Sequence, residues 1–165
     1  MRNLLLMVAA LLIQSTLAEL ISVQQIKPDF VLIVLVFMSL SDGHIMGTTF
    51  GFLSGWIQDV YAPQYLGLNA LCKSIVGFFV GYGSGGVIES NLVVQGIILF
   101  VATLFHDALY FLIYSWNTAD GYGWYLLRYG LPTALYTTIA GVLVFSLLSL
   151  RRRRTLRYAD RFVSR

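Results

Sequence analysis

The sequence predicts an all-α polytopic membrane protein, a bundle of six transmembrane helices with both termini in the cytoplasm. Of its 165 residues, 58% are hydrophobic and 12% are charged, and the mean hydropathy is +0.75. Soluble domains are about half apolar and a quarter charged. The apolar residues also form long runs of the length that crosses a hydrocarbon core about 30 Å thick. Membrane helices are therefore the predicted elements.

Residues 1–150 are predicted to form one transmembrane domain, in which polar or glycine-containing connections separate the spans. The first span follows Arg2 and has the pattern of a signal peptide with a cleavage site after Ala18, so both a retained helix and a removed leader are open. The second apolar segment, 30–40, follows Pro28 and is short for a crossing, so its helix is predicted to start near Ile26 or to bend at Pro28. Trp116 and Trp124 bracket the last connection, as in an aromatic belt. The six predicted spans are 4–23, 26–41, 43–60, 67–87, 92–116 and 125–150.

A basic tail, residues 151–165, follows the last apolar run. Arginines directly after a hydrophobic helix stay in the cytoplasm and are attracted to anionic lipid. An even number of crossings then places the N-terminus on the same side. The tail offers neither a folded basic face nor aromatic platforms, so no nucleic-acid partner is expected. Its basic residues include Arg151, Arg152, Arg153, Arg154 and Arg157.

Glycines recur at every fourth position in the third and fourth spans. In lipid, helices associate through van der Waals packing, and glycine faces allow their backbones to approach closely. The pattern predicts helix packing, either within this chain or against a partner. The glycines concerned are Gly43, Gly47, Gly51 and Gly55 in the third span, and Gly77, Gly81 and Gly85 in the fourth.

Charged residues inside the spans require a reason, because a charge at the centre of the bilayer costs about 3 kcal/mol on insertion scales. Lys73 lies within the fourth span, and Asp59 and Asp107 are its candidate partners in a buried ion pair. A proton or ion relay of Asp107, His106, Lys73 and Glu19 is the functional alternative. Adjacent helix positions face different directions, so His106 and Asp107 are not expected to act on one ligand.

No enzymatic pattern is present: the chain has no nucleophile elbow, no HExxH motif and no paired cysteines. The segment from Gly81 to Gly86 matches GxGxxG, but that motif binds dinucleotides only between a strand and a helix. Cys72 is interpreted as a packing residue. The chain is therefore predicted to be no enzyme, with no cofactor and no metal site.

Several motifs together resemble the rod-shape-determining protein MreD family. They are Pro28-Asp29, the glycine series that leads to Asp59, the run Leu66-Gly67-Leu68-Asn69-Ala70-Leu71, and Gly77-Phe78 followed by Gly81. The resemblance extends over roughly the whole chain.

The resemblance implies a component of the cell-elongation machinery in the bacterial inner membrane. It further implies MreC as a partner, links to MreB, to RodA and to its transpeptidase, and a fold similar to the substrate-binding subunits of energy-coupling-factor transporters. Two functions follow as expectations: a scaffold that binds partner helices, and a solute-binding transporter subunit. A scaffold needs a filled core and an apolar groove, whereas a solute-binding subunit needs a cavity with converging polar groups.

Overall fold

The computed structural model describes residues 2–20, 26–61, 65–83, 91–117 and 121–146. These ranges are almost entirely helical and contain no strand, which confirms the all-α prediction for them. The helices are α1 (Arg2–Leu20), α2 (Phe30–Val60), α3 (Leu68–Tyr82), α4 (Leu92–Tyr114) and α5 (Tyr122–Ser146).

Three of these helices, α2, α4 and α5, are long and apolar enough to cross a membrane. Two shorter apolar helices, Asn3–Thr16 within α1 and Leu68–Tyr82, accompany them. Their lengths and compositions indicate a membrane protein. The number of six crossings and the side on which the termini lie stay predictions.

Gly43 interrupts α2 where the sequence predicts a boundary between two spans. Its backbone has φ 83° and ψ −177°, a region that is essentially restricted to glycine. A Cβ atom at Gly47 would lie 2.9 Å from the Cβ atom of Ser39. Residues eight apart in a continuous helix are about 12 Å apart along its axis. The chain therefore folds back at Gly43, and α2 consists of two halves, α2a (residues 30–42) and α2b (residues 44–60).

The first half, α2a, is the central helix of the described bundle. Val31, Leu32, Leu35 and Val36 are fully buried. One side of α2a packs against apolar side chains of α3, α4 and α5, and the other side packs against Met7 and Ala10 of α1. This position follows from its sequence, because a helix that is apolar on all faces is stable only when surrounded.

One end of the bundle, called here the tyrosine end, is where α2b and α4 end and α3 and α5 begin. The ring of Tyr65, which precedes α3, lies 4.9 Å from that of Tyr114 at the end of α4, and Tyr114 lies 5.2 Å from Tyr125 of α5. A 3-10 turn, Ser115–Asn117, follows α4, and α5 contains a π-helical turn at Leu126–Gly130.

Some predictions fall outside the described residues. These are the ends of the predicted spans at 21–23, 84–87 and 147–150, the glycine Gly85, and the whole tail 151–165 with Arg151, Arg152, Arg153, Arg154 and Arg157.

Candidate functional site

Glycines of α2b and α3 face one another across a direct backbone contact. A Cβ atom at Gly77 would lie 2.5 Å from the carbonyl carbon of Gly47, and one at Gly55 would lie 2.5 Å from the Cα atom of Ala70. No side chain fits at such separations, so these positions require glycine. The same backbone crowding occurs at five of the predicted packing glycines: Gly47, Gly51, Gly55, Gly77 and Gly81.

The contact partner of this glycine face is therefore another helix of the same chain. Gly43 differs from the other glycines of the series, because a Cβ atom there would have nothing within 4 Å. What Gly43 supplies is its positive φ angle. The two helices form a hairpin held by van der Waals contact between backbones, the kind of packing that is effective in lipid.

Asp59 fixes the start of α3. It is fully buried, and its two carboxylate oxygens accept hydrogen bonds from the backbone N–H groups of Gly67, Asn69 and Ala70, at 3.0 to 3.1 Å, and from the side-chain amide of Asn69 at 2.9 Å. The first N–H groups of a helix have no partner within the helix. A carboxylate satisfies them and also interacts favourably with the helix dipole. Asp59 thus joins α2b to α3.

Lys73 is fully buried, and its ammonium group lies 2.5 Å from Oδ2 of Asp29. The expectation that Lys73 pairs with Asp59 or Asp107 is wrong. The oxygens of Asp59 are already occupied by the N-terminus of α3, and Asp107 contacts His106 instead. The partner comes from a position 44 residues away, which no local spacing indicates.

Asp29 connects three helices, α2, α3 and α5. Its Oδ1 accepts from the backbone N–H of Leu32, which caps α2, and its own backbone N–H donates to Oγ1 of Thr137 in α5. Next to it, the N–H of Phe30 donates to Oε1 of Gln14 in α1 at 2.7 Å. Together with the ion pair to α3, these bonds anchor the beginning of the central helix. The available sequence signal was an aspartate directly before an apolar run, which is an N-cap pattern.

His106 and Asp107 lie beside this cluster on α4. Nδ1 of His106 is 3.0 Å from Oδ1 of Asp107, although the two residues are adjacent in the helix. The expectation that the two adjacent side chains face different directions is therefore wrong, since these two atoms are in contact. Asp29 lies within electrostatic range of His106. Asp107 lies within range of both Asp29, whose charge repels it, and Lys73, whose charge attracts it. We call these four side chains the polar cluster. Of the predicted relay, Glu19 has no described side chain.

Aromatic rings extend from the polar cluster to the tyrosine end. His106 stacks on Tyr110 at 6.2 Å between ring centroids, and Tyr110 stacks on Tyr114 at 6.1 Å. Phe111 and Tyr125 stack beside them at 5.8 Å. The sequence predicted an aromatic belt at Trp116 and Trp124, and it did not predict this series of stacked rings.

An apolar cleft of about 600 Å³ lies between α3 and α4. Its walls include Phe79, Val80, Ile97, Val101 and Phe105, and Leu40 of α2a closes its floor. Phe79, Ile97 and Val101 are more than half exposed. The polar cluster contributes no side chain to the walls of this cleft.

Comparison with known proteins identifies one family. The model of the family described as rod shape-determining protein MreD matches residues 2–154 of the chain. No curated protein and no solved structure gives a match. The matched family is one of shape-determining structural membrane proteins and is not a known enzyme family.

Proposed function

Because the chain belongs to the MreD family of rod shape-determining proteins, we propose that it is a non-catalytic scaffold of the cell-elongation and peptidoglycan-synthesis machinery. In this proposal it binds the membrane helix of MreC and links that protein to MreB, to RodA and to its transpeptidase. Membership of the family supports a membrane protein with a role in cell shape. The particular partners are part of the proposal.

The proposed topology is a multi-pass protein of the bacterial inner membrane, with α1, α2a, α2b, α3, α4 and α5 as six crossings. The reversal at Gly43 supports it, because the reversal divides α2 into two antiparallel segments. With both termini in the cytoplasm, the arginines that follow residue 150 lie against the anionic inner leaflet. The tyrosine end then faces outward.

The apolar cleft between α3 and α4 is the observation that carries the scaffold proposal. In lipid, a partner helix gains stability mainly from close packing, so a concave surface offers more contact than a convex one. The wall formed by α3 is held in place by its glycine contact with α2b. Side chains of a partner helix can therefore enter between Phe79 and Val101 without unfolding the bundle.

The test fills the cleft. Val101→Trp should abolish co-purification with MreC while the chain still folds, because a large side chain occupies the space of the partner. Ile139→Trp is the matched control, since Ile139 is similarly exposed on α5 and contributes nothing to the cleft walls. Unchanged co-purification of the Val101 variant, or equal loss in both variants, would contradict the cleft as the binding site.

A solute-binding subunit of the energy-coupling-factor type is the second candidate, and the polar cluster is the observation that favours it. Two of its side chains, however, compensate each other, since the ammonium group of Lys73 pairs with the carboxylate of Asp29. The described cleft, in contrast, is apolar. Association with a transporter's energising subunits, in place of MreC, would favour this second candidate.

A further inference from the structure

Two buried polar atoms at the polar cluster lack a hydrogen-bond partner in the described part of the chain. They are Nε2 of His106 and Oδ2 of Asp107. The His106 side chain is 6% exposed and that of Asp107 is 13% exposed. A buried polar atom without a partner costs free energy. Both atoms therefore remain available for a hydrogen bond.

The contact between the two residues indicates which partner suits them in one protonation state, in which Asp107 is ionised and the His106 ring is neutral. An ionised carboxylate only accepts hydrogen bonds, so the Nδ1 atom that faces Asp107 donates to it. Nε2 of the neutral ring is then an acceptor. In this state both unpartnered atoms accept hydrogen bonds, and the partner that suits them is a hydrogen-bond donor.

In the same protonation state, the charges of the polar cluster favour a cation as this donor. The ammonium group of Lys73 compensates the carboxylate of Asp29. With His106 neutral and Asp107 ionised, the carboxylate of Asp107 has no counter-charge within the cluster. Uncompensated charge inside a bundle is strongly unfavourable. A single positive group would balance it.

The surroundings favour an organic cation. The aromatic rings of Tyr110 and Tyr114 connect His106 with the tyrosine end, and aromatic faces attract ammonium and guanidinium groups. Within the described ranges, no third metal-ligating side chain joins His106 and Asp107. Part of the Asp107 side chain reaches the surface, while its Oδ2 atom is buried.

We propose that the His106–Asp107 pair binds one ammonium or guanidinium group, which donates to Nε2 and Oδ2. The group is carried either by a free organic amine or by a basic side chain of a partner segment. This site lies on different residues from the apolar cleft, so it can fail while the scaffold proposal stands.

The test titrates the full chain in lipid nanodiscs by calorimetry. Butylammonium and butylguanidinium are the probes, and butanol is the uncharged control. We expect saturable binding of a cation and none of butanol, and affinity reduced by about tenfold or more in Asp107→Asn and in His106→Gln, because each loses a charge-assisted or buried hydrogen bond. Asp42→Asn should bind normally, since Asp42 is exposed and bonded to Asn3.

A second arm uses a helical peptide with one arginine and the same peptide with norleucine in its place. Binding of the arginine peptide alone identifies a partner side chain as the source, and preference for the small cations identifies a free amine. If butanol binds to the wild-type chain as tightly as the cations do, the proposal is overturned, and this result does not depend on any variant. The absence of saturable binding by any cation also overturns it, as does equal affinity in the folded variants.

Discussion

The ammonium group of Lys73 lies 2.5 Å from Oδ2 of Asp29, and Lys73 is fully buried. This contact joins the middle of α3 to the beginning of the central helix α2a. Because Asp29 also bonds to Thr137 of α5, the ion pair positions three helices at once. The buried charge of Lys73 thus helps to hold these helices in position.

Breaking this pair from one side should destabilise the protein strongly. We expect Lys73→Met to lower the free energy of unfolding by about 3 kcal/mol or more, because it leaves the Asp29 carboxylate without its counter-charge. The measurement is reversible unfolding in detergent micelles.

Asp29→Asn combined with Lys73→Met should be less destabilised than the sum of the two single variants, since the double change removes both charges. Asp42→Asn is the control acid, because its exposed bond to Asn3 should contribute little. Strict additivity of the two changes would argue against a direct interaction.

Replacing a glycine at the contact between α2b and α3 should force the two helices apart. For Gly51→Ala we expect a loss of about 1 to 3 kcal/mol, since the new methyl group meets the backbone of Lys73 and Ser74, which cannot yield as a side chain does. Gly123→Ala is the control, because a Cβ atom there meets nothing within 4 Å. Thermal unfolding of the two purified variants compares them, and equal stability would refute the tight contact.

Gly43 allows a separate test of backbone conformation. Gly43→Ala introduces no clash, but its φ of 83° is strained for any residue with a side chain, at a cost of about 1 to 3 kcal/mol. Gly83→Ala should be tolerated, because Gly83 has φ −75°. The measurement compares the melting temperatures of the two variants, and the Gly43 variant should melt at the lower temperature. A Gly43 variant as stable as the Gly83 variant would show that the reversal does not depend on this torsion.

Asp59→Asn should loosen the start of α3. Asparagine keeps the volume but removes the charge and turns one acceptor into a donor facing N–H groups, so we expect a loss of about 2 kcal/mol. Hydrogen exchange should accelerate at the amides of Gly67, Asn69 and Ala70. Asn91→Ala removes a single exposed cap from α4 and should cost about 1 kcal/mol without affecting those amides. Unchanged protection at α3 in the Asp59 variant would contradict the capping role.

The sequence by itself determined the helical class and most element positions, because apolar runs of membrane length and their polar breaks are local signals. The boundary between spans near Gly43 was predictable for the same reason, although Gly43 itself was predicted as a packing glycine and its positive φ angle was not predicted. The glycine spacing likewise predicted close packing, although it left open whether the partner was α3 or another protein.

Only the tertiary structure decided which side chains meet. Lys73 pairs with Asp29 because folding brings the start of α2a beside α3, whereas the nearer candidate Asp59 is saturated by the N-terminus of α3. Likewise, the packing of α4 places His106 and Asp107 near that pair. Such contacts depend on how whole helices lie against one another, and hydrophobic periodicity fixes which residues form a helix without fixing its neighbours.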